Sequence, residues 1–204
     1  MVKKNLRNIL FLPLLFFCLK SYPQETGTVI HKIPSVAISS NLLYDLTTSM
    51  NLGIEFKLNS FSTLKLPVTY NPWAFENNKK FKFILFQPEW RWWMCEAFSG
   101  HFFGLHAHYS YYNVGSVNKI LSVSLSDYMK NQRFQGYLVG GGLTYGYQFY
   151  LAPRWSLEVS LGIGYAYLDY GTYYCEECGK FIKHDSKNYA GLTQAGISLI
   201  YFLK

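Results

Sequence analysis

Residues 136–149 read GYLVGGGLTYGYQF, and this stretch decides the fold. Its odd-numbered positions carry mostly large side chains such as Tyr137 and Tyr145. Its even-numbered positions carry glycine, threonine or glutamine, with Leu138 as the exception. Strict alternation with a period of two predicts a β-strand that has two different faces. Residues 155–169 (WSLEVSLGIGYAYLD) repeat the pattern and predict a second strand of the same kind.

The same alternation recurs along the chain, and no helical period of comparable length competes with it after the N-terminal segment. Tight turns alternate with longer segments at residues 71–82, 113–133 and 170–188, an asymmetry that is typical of outer-membrane β-barrels. The pattern predicts eight strands, which lie near residues 35–45, 52–59, 63–71, 83–95, 101–112, 134–150, 155–169 and 189–203.

The size of the side chains decides which face of each strand lies inside. An eight-stranded barrel has an interior just wide enough for side chains, so the bulky rings must point outwards and the glycines inwards. Large apolar groups that face outwards need lipid as their solvent. The sequence therefore predicts an all-β fold, an eight-stranded, antiparallel, up-and-down transmembrane β-barrel of the small outer-membrane type. Residues 25–204 would form it as a single domain.

Residues 1–24 have the pattern of a signal peptide. Lys3, Lys4 and Arg7 precede an apolar run at residues 9–19, which is too short to span a bilayer because a helix needs about 20 residues. Removal of this segment leaves 15 of the 19 basic residues and all 12 acidic ones, a net charge of +3. We therefore expect export to the outer membrane, and the charge does not favour a nucleic-acid partner.

The alternation also places charged and polar side chains inside the predicted barrel. Buried charges of mixed sign must pair or accept hydrogen bonds to offset the loss of solvation. Trp93 and Phe102 would point inwards too, so we expect a plugged lumen that does not transport solutes. The predicted lumen network comprises Glu55, Lys57, Lys65, Glu89, Arg91, His106, His108 and Glu158.

Aromatic residues gather near both ends of the predicted strands, as amphipathic rings do at the two interfaces of a bilayer. One predicted belt, near the short turns, comprises Trp92, Phe103, Phe149, Trp155 and Tyr201. The other, near the long loops, comprises Tyr44, Tyr70, Trp73, Tyr111, Tyr137, Tyr167 and Tyr189.

Two other classes of protein are compatible with parts of the pattern. His106, His108 and Ser110, with Glu89 or Glu158, contain the side chains of a hydrolase, so a lipid-modifying outer-membrane barrel enzyme is one alternative. Such a site must be reached by an acyl chain, whereas the alternation places these residues in a packed lumen. A soluble lipocalin-like carrier is the second alternative, and it would hold the apolar face inside.

Cys175 and Cys178 lie in the sequence CEECGK at residues 175–180, within the last long segment. Two thiolates at this spacing resemble half of a zinc site, to which His184 could add a third ligand. A complete set of four ligands is absent, and in an oxidising envelope a local disulfide is the simpler interpretation. A disulfide, a weak metal site and unpaired thiols all remain open at this loop.

Eight motifs together carry a family resemblance over residues 35–204. They are NLLYDLTTSMNLGIEFKL, YNPWAF, QPEWRWW, EAFSGHFFGLHAHY, RFQGYLVGGGLTYGYQF, RWSLEVSLGIGYAYLDY, CEECGK and GISLIYFLK. The chain resembles a Bacteroidota family of unknown function (a DUF family) that is grouped with outer-membrane β-barrels. Members are often encoded near genes of fimbrillin-type fimbriae, so the resemblance implies a role at the cell surface. It implies no active site.

The expected function is that of a non-enzymatic outer-membrane β-barrel, with no catalytic residue and no cofactor. It would act through its surface loops in adhesion, in fimbria-associated assembly or in envelope structure. The expected partners are outer-membrane lipid, lipopolysaccharide and a fimbria or other surface protein. Lys79, Lys80 and Lys82 offer positive charge for acidic lipopolysaccharide groups. We expect a monomer.

Overall fold

The computed structural model describes residues 34–73, 80–115, 119–120, 123–124, 132–174 and 179–203. These residues form an antiparallel sheet of nine strands that closes into a ring, together with a separate two-stranded hairpin and one short helix. The all-β prediction is thereby confirmed. The predicted signal peptide, residues 1–24, lies outside the described residues.

The elements follow one another in the order β1 (Val36–Asn41), α1 (Leu42–Leu46), β2 (Met50–Lys57), β3 (Ser62–Asn71), β4 (Lys80–Phe86), β5 (Glu89–Trp93), β6 (Gly100–Gly115), β7 (Lys119–Ile120), β8 (Val123–Ser124), β9 (Gln132–Ala152), β10 (Trp155–Tyr174) and β11 (Phe181–Phe202). Strands β7 and β8 pair with each other and form the separate hairpin. Within the ring each strand is antiparallel to its neighbours, and β1 closes the ring by pairing with β11.

The sheet has nine strands rather than the predicted eight because the fourth predicted strand is interrupted. Strands β4 and β5 both pair with β3 on one side and with β6 on the other, so together they fill one position in the ring. The break lies at Gln87 and Pro88. Proline has no backbone N–H to donate to the ladder and is confined to strand ends, edges and bulges.

Two other boundaries differ from the sequence prediction. The first strand ends at Asn41, whose side chain accepts a hydrogen bond of 3.1 Å from the backbone N–H of Leu43 and so begins helix α1. Most of the segment 170–188, predicted as a loop, belongs to β10 and β11, with Gly171 opposite His184. Residues 181–188 are mostly exposed and polar, so they lack the apolar alternation that predicts a strand.

The outward face of the ring is apolar and its inward face is polar, as the alternation predicts. On β9 and β10, Leu143 is 64% exposed and Leu161 58% exposed, whereas Thr144 and Glu158 are buried. We call the end with the β2–β3, β5–β6 and β9–β10 connections the short-turn end, and the opposite end the long-loop end. The interior of the ring is called the lumen.

Strand β11 carries a β-bulge that changes which of its residues face inwards. Gln194 lies opposite Gly162, but Leu192 lies opposite Ile163, so Thr193 is an extra residue. On the short-turn side of the bulge, the even-numbered positions of β11 face the lumen, and Ser198 is buried. On the long-loop side, the odd-numbered Lys187 and Tyr189 line the interior instead.

The glycines of the inward face allow neighbouring groups to approach closely. Gly142 and Gly164 lie opposite each other on β9 and β10, and a Cβ atom on Gly142 would overlap the carbonyl oxygen of Ile163. A Cβ atom on Gly146 would overlap the ring of Phe102, which fills the lumen. Glycine is therefore required on this face by packing, whereas the outward face has room for large side chains.

Among the residues that the structure describes, no helix has both the length and the apolar character needed to cross a membrane.

Candidate functional site

A cluster of five charged side chains fills the short-turn half of the lumen, and we call it the charge cluster. Arg91 of β5 is at its centre and is fully buried. Its guanidinium donates to Glu158 at 2.6 and 3.0 Å, to Glu89 at 3.0 Å and to Glu55 at 3.1 Å. The carboxylates come from β2, β5 and β10, so one side chain connects three strands.

The fifth member of the charge cluster is Lys65 of β3, whose ammonium group lies 3.1 Å from Glu158. Three carboxylates thus meet two cations, and two neutral side chains add hydrogen bonds. Thr63 donates to Glu55 at 2.5 Å, and Gln194 donates to Glu89 at 3.2 Å. Burial of charges is costly unless they are paired and hydrogen-bonded. Every member of the charge cluster is paired, whereas Glu89 Oε1 and Arg91 Nε have no hydrogen-bond partner among the described residues.

Four aromatic side chains close the lumen at the short-turn end. Trp93 and Phe102 are 0% exposed, and their ring centroids lie 4.8 Å apart. Phe98 packs against Trp93 at 6.0 Å and against Phe202 at 5.5 Å. The Arg91 guanidinium lies 4.3 Å from the Phe102 ring centroid, so this aromatic cap and the charge cluster form one continuous plug.

Polar side chains of the middle of the lumen continue the plug. His106 of β6 has a hydroxyl partner at each ring nitrogen, with Thr144 at 2.8 Å from Nδ1 and Thr193 at 2.9 Å from Nε2. Thr144 also donates to Gln194 at 3.2 Å. The bulged Thr193 therefore joins the network through its side chain.

Six of the eight sequence-predicted lumen residues join the charge cluster or the polar network in the structure, and Lys57 and His108 do not. Glu55, Lys65, Glu89, Arg91 and Glu158 form the charge cluster, and His106 belongs to the polar network beside it. Lys57 is half-buried at the end of β2 and forms no ion pair with any described residue. His108 is buried but stands apart from the network.

The long-loop half of the lumen is different, because it contains a cavity of about 490 Å³. We call it the upper cavity. Phe83 and Leu85 of β4, Leu138 of β9 and Leu168 of β10 give it apolar walls, and His108 and Ser110 of β6 also line it. The plugged, polar lumen thus occupies only the short-turn half.

The sequence contains a signal for the upper cavity on the inward face of the alternation. Leu138 is an apolar exception among the small and polar residues of that face on β9. Phe83, Leu85 and Leu168 occupy inward positions of the same alternation, in the long-loop half of the ring. Apolar side chains at consecutive inward positions indicate that the polar plug ends there.

The residues of the hydrolase alternative do not form a hydrogen-bonded catalytic chain within the described part of the protein. His106 bonds to two threonines, and the carboxylates of Glu89 and Glu158 bond to Arg91. Within the described part of the chain, neither the imidazole of His108 nor the hydroxyl of Ser110 forms a side-chain hydrogen bond to an acid or to the other. The nucleophile–base–acid chain that this chemistry needs is therefore not assembled.

Several sequence predictions concern residues that the structure does not describe. Cys175, Cys178 and Lys79 lie outside the described residues, and so does the side chain of Lys80, whereas Lys82 is exposed. His184 contacts Asp169 at 3.1 Å. Among the described ranges, no group of three or more histidine, cysteine, aspartate and glutamate side chains could hold a metal ion.

Comparisons with known proteins place the chain in a family. No curated protein and no solved structure matches it. One family model matches residues 10–203, and its description is "Protein of unknown function (DUF3575)". This match covers nearly the whole sequence, and the chain therefore belongs to the DUF3575 family.

Proposed function

We propose that this protein is a non-conducting β-barrel of the bacterial outer membrane, exported by a signal peptide at residues 1–24. The observation that carries the proposal is the ring's exposed apolar outer face. Its members are large, come from every part of the ring and alternate with buried polar side chains. They include Leu52, Ile54, Phe56, Val68, Tyr70, Ile84, Phe86, Trp90, Trp92, Phe103, Leu105, Tyr109, Tyr111, Tyr137, Val139, Leu143, Tyr145, Phe149, Trp155, Val159, Leu161, Ile163, Tyr165, Tyr167, Leu192 and Ile197.

A protein in water would not expose such a face. Contiguous apolar patches on soluble monomers seldom exceed a few hundred Å², and larger ones mark contact with another molecule or a membrane. A soluble lipocalin-like carrier would keep its apolar face inside and its charges outside, whereas here Arg91 and Glu158 are 0% exposed and Leu143 is 64% exposed. Lipid as the surrounding solvent accounts for both observations.

The height of the apolar face fits a bilayer. On β9, the outward Tyr137 and Phe149 stand twelve residues apart. At about 3.3 Å per residue and a strand tilt of about 40°, this separation corresponds to roughly 30 Å along the membrane normal. Transmembrane barrels carry an apolar band of about 25 Å between two aromatic girdles, so the two rings stand where the girdles would be.

The plug argues against conduction of solutes through the lumen. The charge cluster and the aromatic cap fill the lumen at the short-turn end, where Arg91, Trp93 and Phe102 are 0% exposed. A porin needs a continuous water-filled lumen. The protein would therefore act as a structural element of the envelope and through its long-loop end.

The membrane location is tested by fractionation of the native cell combined with gel migration of unheated and boiled samples. We expect the protein in the outer-membrane fraction, released only by detergent, and with different mobilities before and after boiling because a closed barrel resists unfolding by detergent. A lipocalin-like protein would be released with the soluble periplasm. Recovery there, without detergent, would contradict the proposal.

A second proposed role is attachment to a fimbria or another surface protein. Strands β10 and β11 extend beyond Tyr167 towards the long-loop end, and this extension exposes Tyr174 and Phe181 at 53% and 57%. Exposed aromatic residues at the projecting ends of β10 and β11 are typical anchors of a protein interface.

The attachment role is tested by replacing Tyr174, Phe181 and Ile182 with serine in the native cell. We expect adhesion or fimbriation to fall about tenfold, equivalent to a loss of ~1.4 kcal/mol of binding, while the gel shift is retained. The matched control replaces Leu58 and Phe61, which are 55% and 52% exposed at the short-turn end. Equal effects of both variants, or no effect of the first, would exclude the projecting ends of β10 and β11 as the attachment surface.

A further inference from the structure

The upper cavity lies inside the ring and is separated from the short-turn end by the plug. Its volume of about 490 Å³ falls within the ~300–1,000 Å³ that is usual for small-molecule sites. The exposed side chains of Lys187 and Tyr189 are part of its lining, so it is reached from outside near the long-loop end of β11.

The walls of the upper cavity suit a hydrocarbon. Phe83 and Leu85 contribute from β4, Leu138 from β9 and Leu168 from β10. These strands lie within four neighbouring positions of the ring, β4, β6, β9 and β10, so the apolar side chains form a continuous wall on one side of the space. Apolar walls with a few polar groups are the usual composition of a ligand site.

Two polar side chains of β6 line the upper cavity. His108 and Ser110 occupy successive inward positions of β6, and each is only 4% exposed. The His108 Nδ1 atom is buried and has no hydrogen-bond partner among the described residues, and the neighbouring Ser110 hydroxyl can donate or accept a hydrogen bond. Buried polar groups are almost always hydrogen-bonded, so this pair offers hydrogen bonds to a molecule in the cavity.

The charge of the lining favours an anion. Lys187 of β11 is the one side chain with a full charge among the described residues that line the upper cavity, and no described acidic side chain lines it. The three carboxylates of the charge cluster, further along the lumen, face the two cations Arg91 and Lys65. Asp169, which follows the lining residue Leu168 on β10, contacts His184 at 3.1 Å. An apolar ligand with one small anionic group thus meets complementary chemistry.

We propose that the upper cavity binds one long-chain fatty acid, with its hydrocarbon against the apolar walls and its carboxylate held by the polar and cationic groups of the lining. A cavity of about 490 Å³ suits one hydrocarbon chain rather than the two chains of a membrane lipid, so a free fatty acid is the ligand of choice. This site adds to the proposed function and does not depend on the attachment role.

The test uses the full mature chain in lipid nanodiscs, titrated with palmitate that carries ¹³C at its carboxyl carbon. We expect a protein-dependent carboxyl resonance that saturates at one equivalent and is absent from empty nanodiscs. Leu138→Trp should weaken binding at least about tenfold because the indole fills the cavity. Val139→Trp is the matched control, since its side chain is 45% exposed on the outer face of the same strand.

The electrostatic part is tested by Lys187→Gln, which we expect to weaken binding about three- to tenfold. Lys183→Gln on the same strand is the control, because Lys183 contacts Asp185 and does not line the cavity. Leu85→Trp replaces Leu138→Trp if that variant lacks the gel shift of the folded protein. Absence of a saturable resonance, equal affinity in the tryptophan variants, or equal displacement by hexadecanol or a lysophospholipid would overturn the proposal.

Discussion

Replacement of Arg91 by leucine is expected to lower the free energy of unfolding by about 3–5 kcal/mol. Arg91 donates hydrogen bonds to the carboxylates of Glu55, Glu89 and Glu158, and all four side chains are buried. Leucine would leave three carboxylates with Lys65 as the remaining cation of the charge cluster. The large cost arises from carboxylates that stay buried without a partner, not from the intrinsic value of the ion pairs.

The measurement is the urea dependence of tryptophan emission in lipid vesicles, where Trp93 of the aromatic cap reports on the lumen. Lys183→Gln is the control, because the Lys183–Asp185 pair is 51% and 45% exposed and should contribute no more than about 1 kcal/mol. Adding Glu55→Gln and Glu158→Gln to Arg91→Leu should restore part of the stability by removing unpaired charge. A loss below ~1 kcal/mol for Arg91→Leu would mean that the charge cluster does not stabilise the lumen.

The sequence predicts the faces of this sheet well because one physical constraint acts on every strand. A narrow closed ring has no room for large side chains at most inward positions, so glycine and small polar residues must alternate with large apolar ones. On β9 and β10 this alternation continues for more than ten residues, and Thr144 and Glu158 are buried where it predicts. The inward orientation of Trp93 and Phe102 follows from the same rule.

The remaining features depend on interactions that alternation does not encode. The bulge at Thr193 turns Tyr189 towards the upper cavity, although the sequence pattern assigned this residue to an aromatic belt. Strict alternation places Glu55, Glu89 and Glu158 inside, but only the register around the ring brings all three to Arg91. A local sequence pattern carries neither kind of information.

The sharpest test of the lipid environment is an arginine placed at the middle of the outer face. Leu143→Arg is expected to lower the free energy of unfolding in lipid vesicles by about 2–4 kcal/mol, because a charge at the bilayer midplane loses its hydration. Leu143 lies halfway along β9 between the outward Tyr137 and Phe149. Its side chain is 64% exposed, so packing against the protein contributes little to the expected loss.

Phe149→Arg is the matched control for this substitution. Phe149 lies on the outer face of the same strand and is 47% exposed, but it stands at the short-turn end, where an arginine side chain can reach water at the interface. We expect a loss of only about 0–1 kcal/mol there. In a ring surrounded by water, arginine would be hydrated at both positions, since both side chains are exposed on the outer face. Equal stabilities of the two variants would therefore contradict membrane insertion, whereas a difference that depends on depth requires a hydrocarbon layer around the sheet.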